Sequence, residues 1–575
     1  MWKKFTKDNL EHKNERPWPN PRLKTASIVG HTTTNTCRLW VRTGREGTFT
    51  LFYFPLKHPD AGECFDALAE VPFDPQQLPA NTISEEVTVR WATDTTVVFD
   101  LDNLSAKTSY QYVVADLSTD APRIILGQDI PLSFQTLPEK EKTFSFALYS
   151  CHMPYKKTPF DVISRIFTTP QVKGIEMWDY LNAMLIRHRS QDLRFVLAGG
   201  DQVYTDGVDD LNIWRLLNSR MRKKDGQLYP DEQTMQGWYR DIYRGYWGFP
   251  QVRRVFSNFP MYMMWDDHEL MDGWGSRYLT GENAEKDEMP LIFPSYEEKG
   301  LTYQDCRTML SRMESAAKAI YEEYQHAHNP VTEPGVYDYG FLHDRAAFYM
   351  LDGRGNRDIN RASHRILGKE QLNRFRSWVE ELDSEVKFLF VNAAVPVLHV
   401  NPLFFKPLSE HGEPIVQEHL RLDDHIDDIR DAWEHPLHAE ERKALLEILF
   451  AAAKRGLRVC ILSGDVHAAA AFRMIDPDSK AMIYQLTSSA ITYNTPRFLS
   501  WTAGLVIPDK GKTSDGYKYK RLARYIKSNF SLIKVDQEKG EVTFQIYGEQ
   551  ETEHPSRGVA IPMTHSLAKL ELRFD

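Results

Sequence analysis

Three short acidic motifs, each set directly behind an apolar run, constrain this 575-residue chain more than any other feature. Phe195-Val196-Leu197-Ala198 leads into Gly200-Asp201-Gln202-Val203-Tyr204. Met261-Tyr262-Met263-Met264 leads into Trp265-Asp266-Asp267-His268-Glu269, and Val459-Cys460-Ile461-Leu462 into Gly464-Asp465-Val466-His467. A short apolar run closed by turn residues reads as a buried strand in the sheet of an α/β fold. Open α/β sheets bind ligands in the crevice outside the carboxyl ends of their strands. Asp, Tyr and His gathered there have the chemistry of metal ligands, and the pattern points to a metal-dependent hydrolase.

The chain is too long for one ordinary core, so two or more domains are expected. With 42% hydrophobic and 26% charged residues it has the composition of a globular protein. A formal net charge of −10, with no extended Lys/Arg tract, argues against a nucleic-acid-coating surface. It leaves room for a small phosphate ester in a local basic pocket. No stretch approaches ~18 uninterrupted apolar residues, so no membrane span is expected. The start, Met1-Trp2-Lys3-Lys4-Phe5-Thr6-Lys7-Asp8, has charges but no apolar stretch behind them, and neither a secretory nor a twin-Arg signal is read there. The five scattered cysteines, Cys37, Cys64, Cys151, Cys306 and Cys460, fit a reducing cytoplasm better than a disulfide framework.

From about Thr25 to Phe134 the pattern is strand-like. Thr36–Arg42, Thr48–Tyr53 and Val87–Trp91 alternate apolar and polar residues between Gly-, Pro- and Asp-rich turns. This spacing predicts an all-β sandwich over residues 20–137. Leu104-Ser105-Ala106-Lys107-Thr108-Ser109-Tyr110-Gln111-Tyr112 resembles the Leu-to-Tyr corner of fibronectin type III domains. A polar linker, Pro138-Glu139-Lys140-Glu141-Lys142, follows, and the period then changes to strand-then-helix. Strands are expected at Phe144–Ser150, Leu193–Ala198, Ala346–Leu351 and Lys387–Ala393, with helices at Glu176–Arg189, Ser311–Tyr324, Lys369–Leu382 and Glu440–Lys454. The alternation implies a layered α/β domain over residues 143–505. Residues 506–575 read as a C-terminal extension carrying a hairpin around Glu538-Lys539-Gly540-Glu541, packed on that domain.

An Asp and a Tyr at i and i+3 in a tight loop can reach one cation. Asp201 could bridge two metals, and Tyr204 as phenolate favours a hard trivalent ion such as iron. Asp266 and Asp267 side by side repel one another without a cation, and Glu269 is placed to orient His268. Asp465 and His467 at i and i+2 share one side of an extended segment. Cys151, at the end of the first strand of the α/β domain, is where a thiolate ligand could join them. Leu351-Asp352-Gly353-Arg354-Gly355-Asn356-Arg357 also follows a strand, and the planar fork of Arg matches phosphate oxygens.

These residues resemble the PhoD-like alkaline phosphatase/phosphodiesterase family of the calcineurin-like metallophosphoesterases. The resemblance runs in order through Ser150-Cys151, Gly200-Asp201-x-x-Tyr204, Trp265–Glu269, Leu351-Asp352-x-Arg354-x-x-Arg357 and Gly464-Asp465-x-His467. Weaker echoes include Asp431-Ala432-Trp433. What the resemblance implies is a four-layer αββα catalytic domain behind the sandwich and a multinuclear centre of Fe(3+) with Ca(2+). Manganese, magnesium and zinc stand as alternatives. Cys151, Asp201, Tyr204 and His467 would surround the iron. Asp201, Asp267 and Asp465 would hold the calcium, with Asp266 a further ligand or a support behind them. His268 would lie beside the phosphate of a small phosphate-ester substrate, clamped by Arg354 or Arg357. Two features depart from the family: no twin-Arg signal is read, and Cys151 stands where the wider superfamily has Asp-x-His. The expected activity is phosphomonoester or phosphodiester hydrolysis by a metal-activated water. The alternatives are a binding protein with a relic metal site, or a different ester hydrolase or lyase using the same centre.

Overall fold

A computed structural model of the chain describes residues 18–56, 73–118, 120–127, 132–156, 171–208, 211–281, 284–360, 365–399, 430–493, 507–548 and 566–574. Its N-terminal part is all β. Strands β1 (Ala26–Thr32), β2 (Cys37–Arg42) and β5 (Thr96–Leu101) form one sheet. Strands β3 (Gly47–Pro55), β4 (Ile83–Val89), β6 (Ser109–Asp116), β7 (Arg123–Leu126) and β8 (Ser133–Gln135) form the other. Alternation decides what lies between them. Leu39 and Val41 from β2 meet Phe49, Leu51 and Tyr53 from β3 and Tyr112 and Val114 from β6. The tyrosine corner is present: Leu104 is buried and the Tyr110 hydroxyl accepts from Ser105 N–H at 2.8 Å.

The second part holds two facing sheets. The first has order β11 (Met261–Met263), β10 (Leu193–Ala198), β9 (Thr143–Tyr149), β20 (Asn529–Asp536), β21 (Glu541–Gly548) and β22 (Ala568–Leu572). The second runs β12 (Tyr339–His343), β13 (Ala346–Met350), β14 (Phe388–Asn392), β15 (Arg458–Ser463), β17 (Met482–Thr487), β16 (Ala469–Ile475), β19 (Lys518–Tyr525) and β18 (Lys510–Lys512). Period-two alternation splits each strand between two layers. Phe146 and Phe195 meet Phe348 and Phe390 between the sheets, with ring centroids 5.1–5.3 Å apart. Tyr349, Leu389, Val391 and Ile461 point the other way, onto Phe375 and Val379 of α4 (Lys369–Glu380) and Leu445 and Leu449 of α5 (Ala439–Lys454). Trp178 of α1 (Glu176–Arg189) covers the outer face of the first sheet, 4.9 Å from Tyr149. The layers are therefore helix, sheet, sheet, helix, behind an all-β N-terminal unit.

The C-terminal segment is built into both sheets. β20 pairs antiparallel with β9, setting Leu532 opposite Ala147, while β18 and β19 extend the second sheet. The helix expected from Ser311 starts eight residues earlier, as α3 (Tyr303–Tyr324). The Thr302 side chain accepts from Asp305 N–H and Asp305 reaches back to Thr302 N–H, a capping box that fixes the true start. The polar linker is pinned, since Glu141 pairs with Arg194 at 2.6 Å.

Candidate metal centre

The carboxyl ends of strands from both sheets converge on one place. Cys151 follows β9, Asp201 follows β10, Asp266 and Asp267 follow β11, Arg354 and Arg357 follow β13, and Asp465 and His467 follow β15. Cys151, Asp201, Asp465 and His467 all adopt left-handed backbone, with φ of 56°, 54°, 60° and 50°. Such conformations cost about 1–3 kcal/mol each and persist where surrounding structure over-determines them. Close packing of the loops also demands glycine. Gly200 has φ 132°, and a Cβ there would lie 2.9 Å from Asp266 Cβ; a Cβ on Gly464 would strike the Ser150 side chain.

Donor atoms of Asp201, Asp266, Asp267 and Asp465 lie within 4.8 Å of one another, and those of Asp201, Asp267 and His268 do the same. Around Asp201 Oδ2, the Cys151 thiol stands at 3.3 Å and the Tyr204 hydroxyl at 3.2 Å, and that hydroxyl is 3.4 Å from His467 Nε2. Asp201 Oδ1, Asp266 Oδ2 and Asp267 Oδ1 are buried and accept no hydrogen bond among the described residues. Buried polar groups are nearly always satisfied, so three orphaned oxygens in one spot are a strong anomaly. Burial, reinforced by Asp266 and Asp267 around both groups, drives the Asp201 and Asp465 carboxyls well above their ordinary range. Asp266 is pushed up to about 7 by burial, against the opposing pull of Arg354. Burial, with His268 nearby, holds the His467 imidazole neutral, down at about 3. Neutral imidazole beside clustered carboxylates is the form a metal ligand takes, and a cation would relieve the repulsion. The residues fit a metal centre.

His268 is oriented by a residue that sequence reasoning missed. Its Nδ1 lies 2.8 Å from Asp206 Oδ1, and Asp206 is fixed in turn by Asp272 N–H at 2.6 Å. Burial disfavours the imidazolium, but Asp206, Asp267 and Asp201 outweigh it and raise its pKa well above normal. Glu269, expected to orient His268, instead ties the loops together. It accepts from Gln202 N–H at 2.7 Å, Asp266 N–H at 2.9 Å and the Gln325 side-chain amide at 2.9 Å. Asp206 follows Tyr204 by two residues, so the signal was a motif read two positions too short.

Arg354 is fully buried, with its donors engaged. Nε meets Asp266, while Nη1 and Nη2 grip both Asp431 oxygens at 2.6 and 2.7 Å. It braces the site where a phosphate clamp was expected. Arg357 donates to Ser276 Oγ at 2.8 Å and to the Asp431 carbonyl, while its Nη1 stays buried without an acceptor. Against the cost of burial, Arg354 and Arg357 hold Asp431 ionised. Two further residues join the site from outside the motifs. Tyr493 stacks on His467 with ring centroids 3.6 Å apart, and the amide of buried Asn392, closing β14, has no hydrogen-bond partner among the described residues. Trp178, Trp238 and Trp247 are core, and Trp274 offers Arg354 its carbonyl.

Donors of this kind at the strand ends of two facing sheets define a candidate metal centre in a four-layer fold of helix, sheet, sheet and helix. The chain belongs to the PhoD-like phosphatase family, whose model matches residues 175–545. A relative from Saccharomyces cerevisiae, the uncharacterized protein YGR266W, is 23% identical over 357 residues, covering 53% of this chain and 48% of its own length. The chain thus spans about half the length of that curated relative. Among solved structures, PhoD aligns with a TM-score of 0.60 at 14% identity, covering 97% of this chain and 92% of that one. The purple acid phosphatase PPD1 from yellow lupin (Lupinus luteus) seeds aligns with a TM-score of 0.50 at 11% identity, covering 92% and 72%. At such identities these two likenesses establish the fold. Among the described residues, no helix is long and apolar enough to cross a membrane.

Proposed function

We propose that this chain hydrolyses small phosphate esters, monoesters or diesters, with a water activated at a metal centre formed by the three acidic motifs. The observation that carries the reading is the set of buried oxygens on Asp201, Asp266 and Asp267 that accept no hydrogen bond among the described residues, crowded within 4.8 Å of one another while Arg354 is shared among Asp266, Asp267 and Asp431. Cys151, Asp201, Tyr204 and His467 make a mixed sulfur, oxygen and nitrogen set suited to trivalent iron. Asp201, Asp266, Asp267 and Asp465 offer hard oxygens suited to calcium. Cations held there would lower the pKa of a water and neutralise charge developing on the phosphoryl oxygens.

The protein's own groups do the rest. His268 is held through Nδ1 by Asp206, which leaves Nε2 to meet a phosphoryl oxygen or to protonate the leaving alkoxide. Arg357 Nη1 is the uncommitted guanidinium donor and takes the role of stabilising charge on the substrate. Arg354 is a positioning residue that fixes Asp266 against Asp431. No nucleophilic Ser or Cys is needed.

The test joins elemental analysis of the purified protein to an aryl phosphomonoester and phosphodiester panel. Asp201→Asn should lose bound metal and lower hydrolysis by orders of magnitude, because Asp201 belongs to both donor sets. Full activity after a chelator has stripped every metal would overturn the reading.

A further inference from the structure

Among the described residues, the β18 end of the eight-stranded sheet carries a row of cations with no carboxylate in ion-pair contact. Across β18 and β19, Lys510 lies opposite Lys520 and Lys512 opposite Lys518; on β16, Arg473 lies opposite Lys520. Residues directly opposite in an antiparallel pair share a face, so five cations project from three neighbouring strands on one side. All four lysines are exposed. Among the described residues none of the four has a carboxylate within ion-pair distance. The nearby acids are engaged elsewhere, Asp515 with Arg442 at 2.7 Å and Asp509 with Arg521 at 3.4 Å. Like charges set directly opposite destabilise a sheet. In a chain with formal net charge −10, their concentration here makes a local field of opposite sign.

Lysine on an edge strand guards against edge-to-edge pairing. That accounts for Lys510 and Lys512 on the edge strand β18. It does not account for Lys518 and Lys520, because β19 is paired on both sides, nor for Arg473 one strand further in. We propose that this face docks onto an anionic lipid surface. Lysine ammoniums are compact, strongly hydrated point charges that suit a diffuse negative plane. A reader of single-stranded nucleic acid would interleave exposed aromatics for base stacking. Here Tyr519 turns to the opposite, helix-packed side and Tyr484, opposite Arg473, is buried. Docking of this kind needs no membrane-crossing helix.

The full-length protein is sedimented with phosphatidylcholine vesicles with and without phosphatidylserine, at low and physiological salt. The wild type should pellet with the anionic vesicles alone and be released by salt, and each Lys→Gln change should lower partitioning by about fivefold. The quadruple variant K510Q/K512Q/K518Q/K520Q should stay in the supernatant. It should keep wild-type hydrolysis of a soluble ester and an equal or higher Tm, because like-charge repulsion is removed, while the Lys→Arg quadruple still binds. Failure of the wild type to pellet at low salt would overturn the proposal, as would unchanged pelleting of the quadruple variant. Binding to single-stranded RNA through these lysines with no vesicle binding would also overturn it, in favour of a nucleic-acid partner.

Discussion

At the scale of single residues, the candidate site is a problem of charge placed where water cannot screen it. Asp201, Asp266 and Asp267 each keep a buried oxygen that accepts no hydrogen bond among the described residues, and Arg354 is already shared between Asp266, Asp431 and, at 3.5 Å, Asp267. Residue types and strand-end placement were legible in the sequence for every candidate ligand. What the side chains do was less so. Arg354 looked like a phosphate clamp because its loop follows a strand, yet its partner Asp431 lies 77 positions along the chain, beyond local reasoning. Asp206 gives the sharpest residue-scale prediction. Asp206→Asn removes the carboxylate that fixes the His268 ring, so kcat should fall roughly a hundredfold or more while metal content stays at the wild-type level. Single-turnover kinetics paired with elemental analysis checks both halves, and parallel loss of metal and activity would place Asp206 among the ligands instead.

At the scale of elements, alternation in β13 and β14 sends every second side chain into the inter-sheet core and the rest onto the helices. With both faces buried, these strands are continuous apolar runs, which is why most of the strands and helices named from the sequence were readable within a few residues. The helix Glu232–Tyr246 and strands β16 and β17 were not named. Helix α3 shows the limit, since the apolar period marked its body and the Thr302/Asp305 box its start. The joining of β20 to β9 was not readable, because nothing local in Asn529–Asp536 names a partner nearly four hundred residues upstream. Phe390 tests the layering. It packs against Phe146 and Phe348 between the sheets, so Phe390→Ala should cost about 3–5 kcal/mol in urea unfolding. A loss below about 1 kcal/mol would mean the sheets do not meet there.

At the scale of the whole molecule, the all-β part is fastened to the α/β part by a buried ionic cluster. Asp94 is fully buried with Arg42 at 2.9 Å and Arg244 at 3.1 Å, and it accepts from the Tyr324 hydroxyl. Nearby, Trp40 Nε1 donates to the Glu323 carbonyl at 2.8 Å and the Tyr112 hydroxyl to the Ser257 carbonyl at 2.8 Å. Burial alone would raise the Asp94 carboxyl, but Arg244 and Arg42 outweigh it and hold its pKa below the ordinary value. A depressed folded pKa means stabilisation that is complete above the unfolded value of about 4 and fades as pH falls through the folded one. Asp94→Asn leaves two buried guanidiniums under-compensated and should cost about 3–5 kcal/mol at neutral pH. The gap between variant and wild type should narrow as the pH is taken from 7 to 3, followed by denaturant unfolding at each pH. A gap independent of pH would show that Asp94 acts through shape and not charge.

The sequence by itself determined the local things: which runs become strands, where they end, and that acids, His, Cys and Tyr stand at those ends. Strand period, turn residues and side-chain chemistry are properties of a few consecutive residues, and each motif carries them whole. Only the tertiary structure decided which oxygens stay unshared, that Asp206 rather than Glu269 holds His268, and that Arg354 is consumed by Asp266 and Asp431. It also decided that Lys510, Lys512, Lys518 and Lys520 line one face. Those outcomes depend on loop closure and strand register between distant segments, which bring charges together through space that the chain order keeps apart.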